Sequence, residues 1–337
     1  MRKRGQGISN IWHPTGYSGG GDGSTAWLKV NMDGSVDLFI GSVEIGQGVK
    51  TVMAQMVAEE LGIPVVNINV INENSQVAPF DYGTAATRQT HNMGNAVVMA
   101  AREAREVILE IAASLLGCSS SEMEMGNNEI VMKTDPDTKL PFEAITMTAN
   151  FSMGRIIAGR GGYIKPLSQK DEATGACDAW TTQAFNTVVA DVEVDTDTGE
   201  VSVIRLISAC DVGKAINPML CEGQIEGGAV MGIGMALMEN LHPFNPGIEF
   251  QPLSLHDYVI PTAMDTGAII SVILEKPSST GPYGAKGFGE MTMNGPAAAI
   301  ANAVYNAIGV RICQIPITPE LVLRGLEEKD KELACKS

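Results

Sequence analysis

Ala26-Trp-Leu-Lys-Val-Asn-Met-Asp-Gly-Ser-Val-Asp-Leu-Phe-Ile40 alternates apolar and polar residues on either side of Asp33-Gly34. Leu28, Val30 and Met32 approach the turn, and Val36, Leu38 and Ile40 leave it, the pattern of a β-hairpin closed by Asp-Gly. The second strand runs into Glu44-Ile-Gly-Gln-Gly48, after which Val52, Met53, Met56 and Val57 take helical spacing over residues 49–61. The order hairpin, glycine loop, helix then recurs. A second hairpin spans residues 188–207 and turns at 195–199. It leads to Asp211-Val-Gly-Lys-Ala-Ile-Asn217-Pro218, where Asn217 can cap and Pro218 open a helix over residues 218–240. Strands mixed with helices, without regular βαβ alternation, predict an α+β fold of two related subdomains with mixed sheets and packed helices. The expected divisions are an extended arm at 1–25, a first subdomain at 26–180 and a second at 181–337.

The remaining segments fill in this plan. Val66, Ile68 and Val70 share one face of a third strand, and a polar loop at 72–89 precedes a long helix over 90–116 with Val97, Val107, Ile108, Ile111 and Leu115 on its apolar side. Residues 117–180 carry little periodicity beyond a short strand near Ile130 and a Gly-Arg-Gly-Gly segment at 159–162. The helix at 218–240 holds Gly227, Gly228, Gly232 and Gly234. Each costs about 1 kcal/mol relative to alanine, so other backbone is expected to pack tightly on this helix. Pro296 opens a further helix with Ile300, Val304, Ala307 and Ile308, and a last one starts at Thr318-Pro319-Glu320.

A chain of 337 residues, 45% of them hydrophobic, is long enough for about two domains and a sizeable core. Its formal charge of −16 argues against nucleic acid or an anionic membrane as main partner, since both reward basic surfaces. The most apolar segment, 227–238, is too short to span a bilayer. The start, Met1-Arg-Lys-Arg4, runs into glycine and polar residues, not into an apolar leader. Cys118, Cys177, Cys210, Cys221, Cys313 and Cys335 show no CxxC spacing, so neither a zinc site nor a redox dithiol is written, and free thiols in a reducing cytoplasm are expected. The four histidines, His13, His91, His242 and His256, have no i,i+4 partners, and no Walker sequence, G-x-G-x-x-G turn or G-x-S-x-G elbow occurs.

What remains are loops suited to a polyanionic cofactor. Gly46, Gln47 and Gly48 precede a helix, where backbone N–H groups and the positive dipole end favour phosphate. Gly83-Thr84-Ala85-Ala86-Thr87-Arg88-Gln89 offers small residues for close approach, two hydroxyls and an arginine fork. Gly281-Pro-Tyr-Gly-Ala-Lys286-Gly287-Phe-Gly289-Glu290 sets one carboxylate at the end of a glycine-rich loop ahead of a helix, a way to hold a base still in a dry pocket. Taken singly, each loop is as readily an ordinary turn or helix cap.

In order, Glu44-Ile-Gly-Gln-Gly48, the Thr84–Thr87 loop, Asp211-Val-Gly…Asn217-Pro218…Gly223-Gln-Ile-Glu-Gly227 and Ala285-Lys-Gly-Phe-Gly-Glu290 resemble the second molybdopterin-binding domain of the xanthine dehydrogenase / aldehyde oxidase family of molybdenum hydroxylases. The resemblance covers residues 5 to 326. It implies hydroxylation of a carbon beside a ring nitrogen, or of an aldehyde carbon, with water as oxygen source. Glu290 matches the family's catalytic base. Gly46, Gln47 and Gly48 match a pterin- or phosphate-contacting loop, Ala85 to Gln89 match the loop along the pterin, and Lys286 to Gly289 position the base. The metal would be held by the pterin dithiolene, not by side chains. The implied cofactor is molybdopterin in its cytosine dinucleotide form, with [2Fe-2S] clusters and FAD on partner subunits. Met231 departs from the pattern, since many relatives carry glutamine near that position. The first molybdopterin half is also missing, as in the split medium subunit of nicotinate dehydrogenase. A second molybdopterin subunit, an iron–sulfur subunit, an FAD subunit and a nicotinate-like heterocycle are therefore expected. Purines or aldehydes are alternative substrates, and a cofactor-enclosing scaffold subunit is an alternative role.

Overall fold

The computed structural model describes residues 1–18, 21–166, 171–177, 179–180, 182–240, 252 and 254–335. Its elements are, in order, strands β1 (Arg2–Pro14), β2 (Ser24–Val30) and β3 (Val36–Ile40), helix α1 (Val49–Leu61), strand β4 (Ile68–Ile71) and helix α2 (Gly94–Leu116). Strands β5 (Met123–Gly126), β6 (Glu129–Met132) and β7 (Asp135–Pro141) follow, then α3 (Phe142–Phe151), β8 (Ala158–Tyr163), β9 (Gln183–Asp195) and β10 (Val201–Asp211). The chain continues with α4 (Pro218–Leu237), β11 (Ala268–Leu274), α5 (Met291–Asn294), α6 (Pro296–Ile308) and α7 (Pro319–Ala334). The α+β class expected from the alternation is the class observed.

Two compact units divide the chain, but not by a linear cut at 180. One, the glutamate unit, gathers Met1–His13, Ala184–Lys276 and Phe288–Ser337. The other, the arginine unit, gathers Pro14–Gln183 and Pro277–Gly287. Each repeats one topology. In the arginine unit, β2 and β3 form the expected hairpin, α1 crosses over to place β4 parallel to β3, and β8 flanks β2, giving the order β4-β3-β2-β8. In the glutamate unit, β9 and β10 are the hairpin, α4 is the crossover to parallel β11, and β1 flanks β9.

The expected free arm is thus an edge strand over its first half. Its signal is weak because inward positions are glycine. Gly5 and Gly7 lie on the Ala303 and Ala299 carbonyls of α6, and Gly159 and Gly161 of β8 lie in the same way on Ala100 and Ala96 of α2. A side chain at any of the four would run into helix backbone, so the glycines set strand-to-helix distance in both units. This also explains why residues 117–180 carried little pattern.

Asn217 caps α4 as its sequence predicts, its Oδ1 accepting from the Leu220 N–H at 3.1 Å. Of the four glycines on that helix, Gly228 packs on Thr292, Gly232 on Pro296 and the Met293 carbonyl, and Gly234 on Glu239 and Pro261, while nothing stands near Gly227. The glutamate unit's core runs from Val188, Val192 and Leu206 across Ile233 to Ile300 and Val304, all buried. The two sheets differ on their outer faces. That of the glutamate unit exposes Ile8, Trp12, Phe185, Ile270, Val272 and Leu274. That of the arginine unit carries Lys29, Asp37, Asn69 and Arg160 beside a stacked Trp27–Phe39 pair.

Candidate active site

Within the glutamate unit, Glu290 adopts helical dihedrals at the entry to α5. The turn is fixed from three sides. The Gly289 carbonyl accepts from the Thr292 hydroxyl at 2.6 Å, and Asn186 donates from β9 to the Met291 carbonyl at 3.1 Å. Ser208 donates in turn to Asn186 Oδ1 at 3.1 Å. Met291 itself is fully buried in a small core with Ala184, Cys210, Val212, Cys221 and Ile225, and Phe288 packs against that core. Phe288 and Met291 therefore anchor the loop. The Glu290 side chain is 49% exposed, and its Oε2 lies 3.5 Å from His13 Nε2 at the end of β1. Burial pushes the thiols of Cys210 and Cys221 up to about 11, so both behind the loop stay protonated and inert.

In the arginine unit the phosphate expectations need revision. Arg88 has no exposed surface. It is paired with Asp22 and with Asp81 at 2.7 Å, and it donates to Ser24 Oγ and to the carbonyls of Gly23 and Gly83. Its fork is spent on folding the 81–88 loop, and no phosphate needs to be invoked. Around the start of α1, three N–H groups are taken by Glu44. Its Oε1 accepts from Gly46 and Gly48, each at 2.9 Å, and its Oε2 from Lys50 at 3.1 Å. Burial opposes ionisation of Glu44, but these three donors outweigh it and hold the carboxyl below its ordinary range. Gln47 also turns inward, donating to the Val43 carbonyl and accepting from the Ile45 N–H.

The loop backbone remains. Gln89 donates to Asp81, to the Gly83 carbonyl and to Thr84, and accepts from Ser42. The Thr84 hydroxyl accepts from the Val43 N–H at 2.8 Å, which joins the 83–89 loop to the 43–48 loop. Ala86 and Thr87 both have positive φ, 50° and 56°, an uncommon pair for side-chain-bearing residues and of the kind that clusters at ligand sites. Gly287 sits on the Thr87 carbonyl, leaving no room for a side chain, and Lys286 is buried. A group absent from the sequence reading ties this last segment down. The hydroxyls of Thr182 and Thr280 lie 3.2 and 3.0 Å from His91 Nε2, Ser278 bonds to both hydroxyls, and Asn95 donates to the Thr280 carbonyl. These residues are scattered over 190 positions, so no local motif announced them. Burial, partly offset by the Asn92 contact, lowers the His91 pKa and keeps its ring neutral.

Among the described residues, no group of three His, Cys, Asp or Glu side chains could hold a metal ion; His242 lies outside them. A flat ligand fits better. Gly46 and Gly83, with φ of 103° and 129°, have nothing within 4 Å of where a side chain would start, and Ala85 is exposed between the two joined loops. Open glycine and alanine backbone of this kind admits an aromatic ring system at close range.

Two repeated sheet–helix units bear such loops and a carboxylate on a rigid turn, the frame of a cofactor-binding domain. The profile of the molybdopterin cofactor-binding domain matches residues 1–267, and the chain belongs to that family. It is 35% identical over 315 residues to a putative xanthine dehydrogenase molybdenum-binding subunit of Escherichia coli (strain K12), covering 93% of this chain and 40% of that one. It is 30% identical over 342 residues to the gamma subunit of the 6-hydroxypseudooxynicotine dehydrogenase complex of Paenarthrobacter nicotinovorans, covering 98% of this chain and 41% of that one. Quinoline 2-oxidoreductase from Pseudomonas putida 86 superposes with a TM-score of 0.83 at 26% identity, over 97% of this chain and 42% of that one. The chain thus spans about two fifths of the length of these relatives. No described helix is long and apolar enough to cross a membrane.

Proposed function

We propose that this chain is the molybdopterin-binding part of a molybdenum hydroxylase that acts on an N-heterocycle, with Glu290 as general base. The observation that carries the reading is the seat of Glu290: a carboxylate on a turn bolted through Met291, Asn186 and Thr292, with half its surface open to a reactant. Bound molybdopterin would supply the two-electron oxidation, with water as the oxygen source. Glu290 would accept the proton released as the new C–O bond forms, and its fixed turn keeps that proton transfer short. Gly46, Gly83, Ala85 and Ala86 would lie along the pterin. Gln47, Gly48, Thr84, Thr87, Arg88, Gln89, Lys286, Gly287 and Gly289 would act on it through the shape of their loops. The cytosine dinucleotide form suits an extended stretch of open backbone. A nicotinate-like ring is favoured because the relatives named above are a xanthine, a pseudooxynicotine and a quinoline enzyme.

The chain matches about two fifths of its relatives, and the proposal needs a further polypeptide region to complete the site. We assign it to a second molybdopterin subunit, with [2Fe-2S] and FAD subunits completing electron transfer in the cytoplasm, where six unbridged cysteines are at home. The outer face of the glutamate unit is ion-paired at Arg2, Arg4, Glu193, Asp191 and Arg205 and apolar from Phe185 to Ile270, and that apolar part supports such a partner, because a patch of this kind is commonly covered. Glu290→Gln tests the core of the proposal. The purified complex should keep its molybdopterin content and lose at least ~100-fold in turnover of nicotinate or a purine, the scale of general-base removal. Turnover within a few-fold of wild type refutes it.

A further inference from the structure

We propose that His13 is the positioning residue of Glu290, orienting its carboxylate through Oε2; this rests on Glu290 serving as the base. Four observations bear on it. His13 Nε2 stands 3.5 Å from Glu290 Oε2, one small rotation from a hydrogen bond. His13 Nδ1 is buried and has no partner, so a hydrogen placed there would be an unsatisfied donor. The ring is therefore assigned its hydrogen on Nε2, the nitrogen that faces Glu290. Finally, β1 is fixed against the helix that Glu290 begins. Ser9 donates to the Gly295 carbonyl at 2.8 Å, Asn302 donates to the Ile8 carbonyl at 3.0 Å, and Ile11 packs on Gly295. Pro14 restricts His13 to extended backbone, which carries that register to the imidazole.

In this arrangement the imidazole donates to Oε2 and sets the plane of the carboxylate. Sequence reasoning set His13 aside as a lone histidine because its partner is 277 positions away along the chain.

Two measurements test this. In the full chain labelled with ¹⁵N-histidine, the His13 signal, identified by its loss in His13→Gln, should report the Nε2–H tautomer. Glu290→Ala should shift that signal and leave His91 unmoved. In the loaded complex, His13→Leu should lower kcat about tenfold with KM nearly unchanged, as expected when a reacting group is mispositioned. His13→Gln, whose amide nitrogen reaches toward the Nε2 position, should restore most of it. An Nδ1–H tautomer, a His13 signal indifferent to Glu290→Ala, or equal losses in Leu and Gln variants would overturn the proposal. If Glu290→Gln proves active while the tautomer and shift are as expected, the contact is real but the base assignment, and with it the positioning role, falls.

Discussion

Arg88 shows how a residue type misleads when its surroundings are unknown. In the loop Thr84–Gln89 an arginine reads as an anion ligand, yet two carboxylates and three oxygens of the same unit consume its fork. Arg88→Ala removes the guanidinium that Asp22 and Asp81 share and leaves Asp81 buried without its cation, Asp22 keeping Lys165 at 3.5 Å, so it should cost about 3–5 kcal/mol in urea unfolding. A cost under 1 kcal/mol would return the side chain to the list of ligands. Glu44 gives a pH test. Its carboxyl lies below its ordinary range in the fold, so its contribution is complete above the titration of an unfolded glutamate and disappears as pH falls through the folded value. The stability gap between wild type and Glu44→Gln should be widest near neutrality and narrow on acidification. A gap independent of pH would show that the ionised form is not what caps α1.

At the scale of elements, what the sequence disclosed and what it hid have separate physical causes. Hairpins with Asp-Gly or Asp-Thr-Gly turns and helices with Asn217-Pro218 or Thr318-Pro319 starts were legible because their signals are local. Strands β1 and β8 were not, since glycine replaces the inward apolar residue that would have shown the alternation. Strand β11 follows the described end of α4 after a long interval and gave no hairpin partner to reveal it. Of the candidate site, the sequence showed Glu290 at the end of a glycine loop ahead of a helix, whereas the neighbourhood of His13 and the Thr182–Ser278–Thr280–His91 group depend on contacts distant in sequence. Neighbouring glycines on α4 separate the two uses of that residue. Gly227→Ala fills open space in a helix and should stabilise the fold by about 1 kcal/mol. Gly228→Ala meets Thr292 and should destabilise it by about 1–3 kcal/mol, shifting the turn that bears Glu290. Thermal or urea unfolding of the two variants side by side decides, and equal effects would mean that α4 and α5 are not in close contact.

At the scale of the whole molecule, one topology used twice has been given two surfaces. The outer face of the arginine unit is mostly polar, and that of the glutamate unit is apolar around Phe185 and Ile270. Coexpression with the proposed second molybdopterin subunit should yield a complex that the double change Ile270→Asp and Val272→Asp weakens, while unfolding of the lone chain stays close to wild type. Undiminished recovery of the complex would place the partner elsewhere.

Interleaving has its own consequence for biosynthesis. Strand β1 leaves the ribosome before the entire main body of the arginine unit, yet its hydrogen-bonding neighbour β9 is made only after that body. For this interval a thirteen-residue ribbon with exposed Ile8 and Trp12 waits without a seat, and the sheet it belongs to closes late. The nascent chain should therefore be most vulnerable to mispairing and to proteases at this strand.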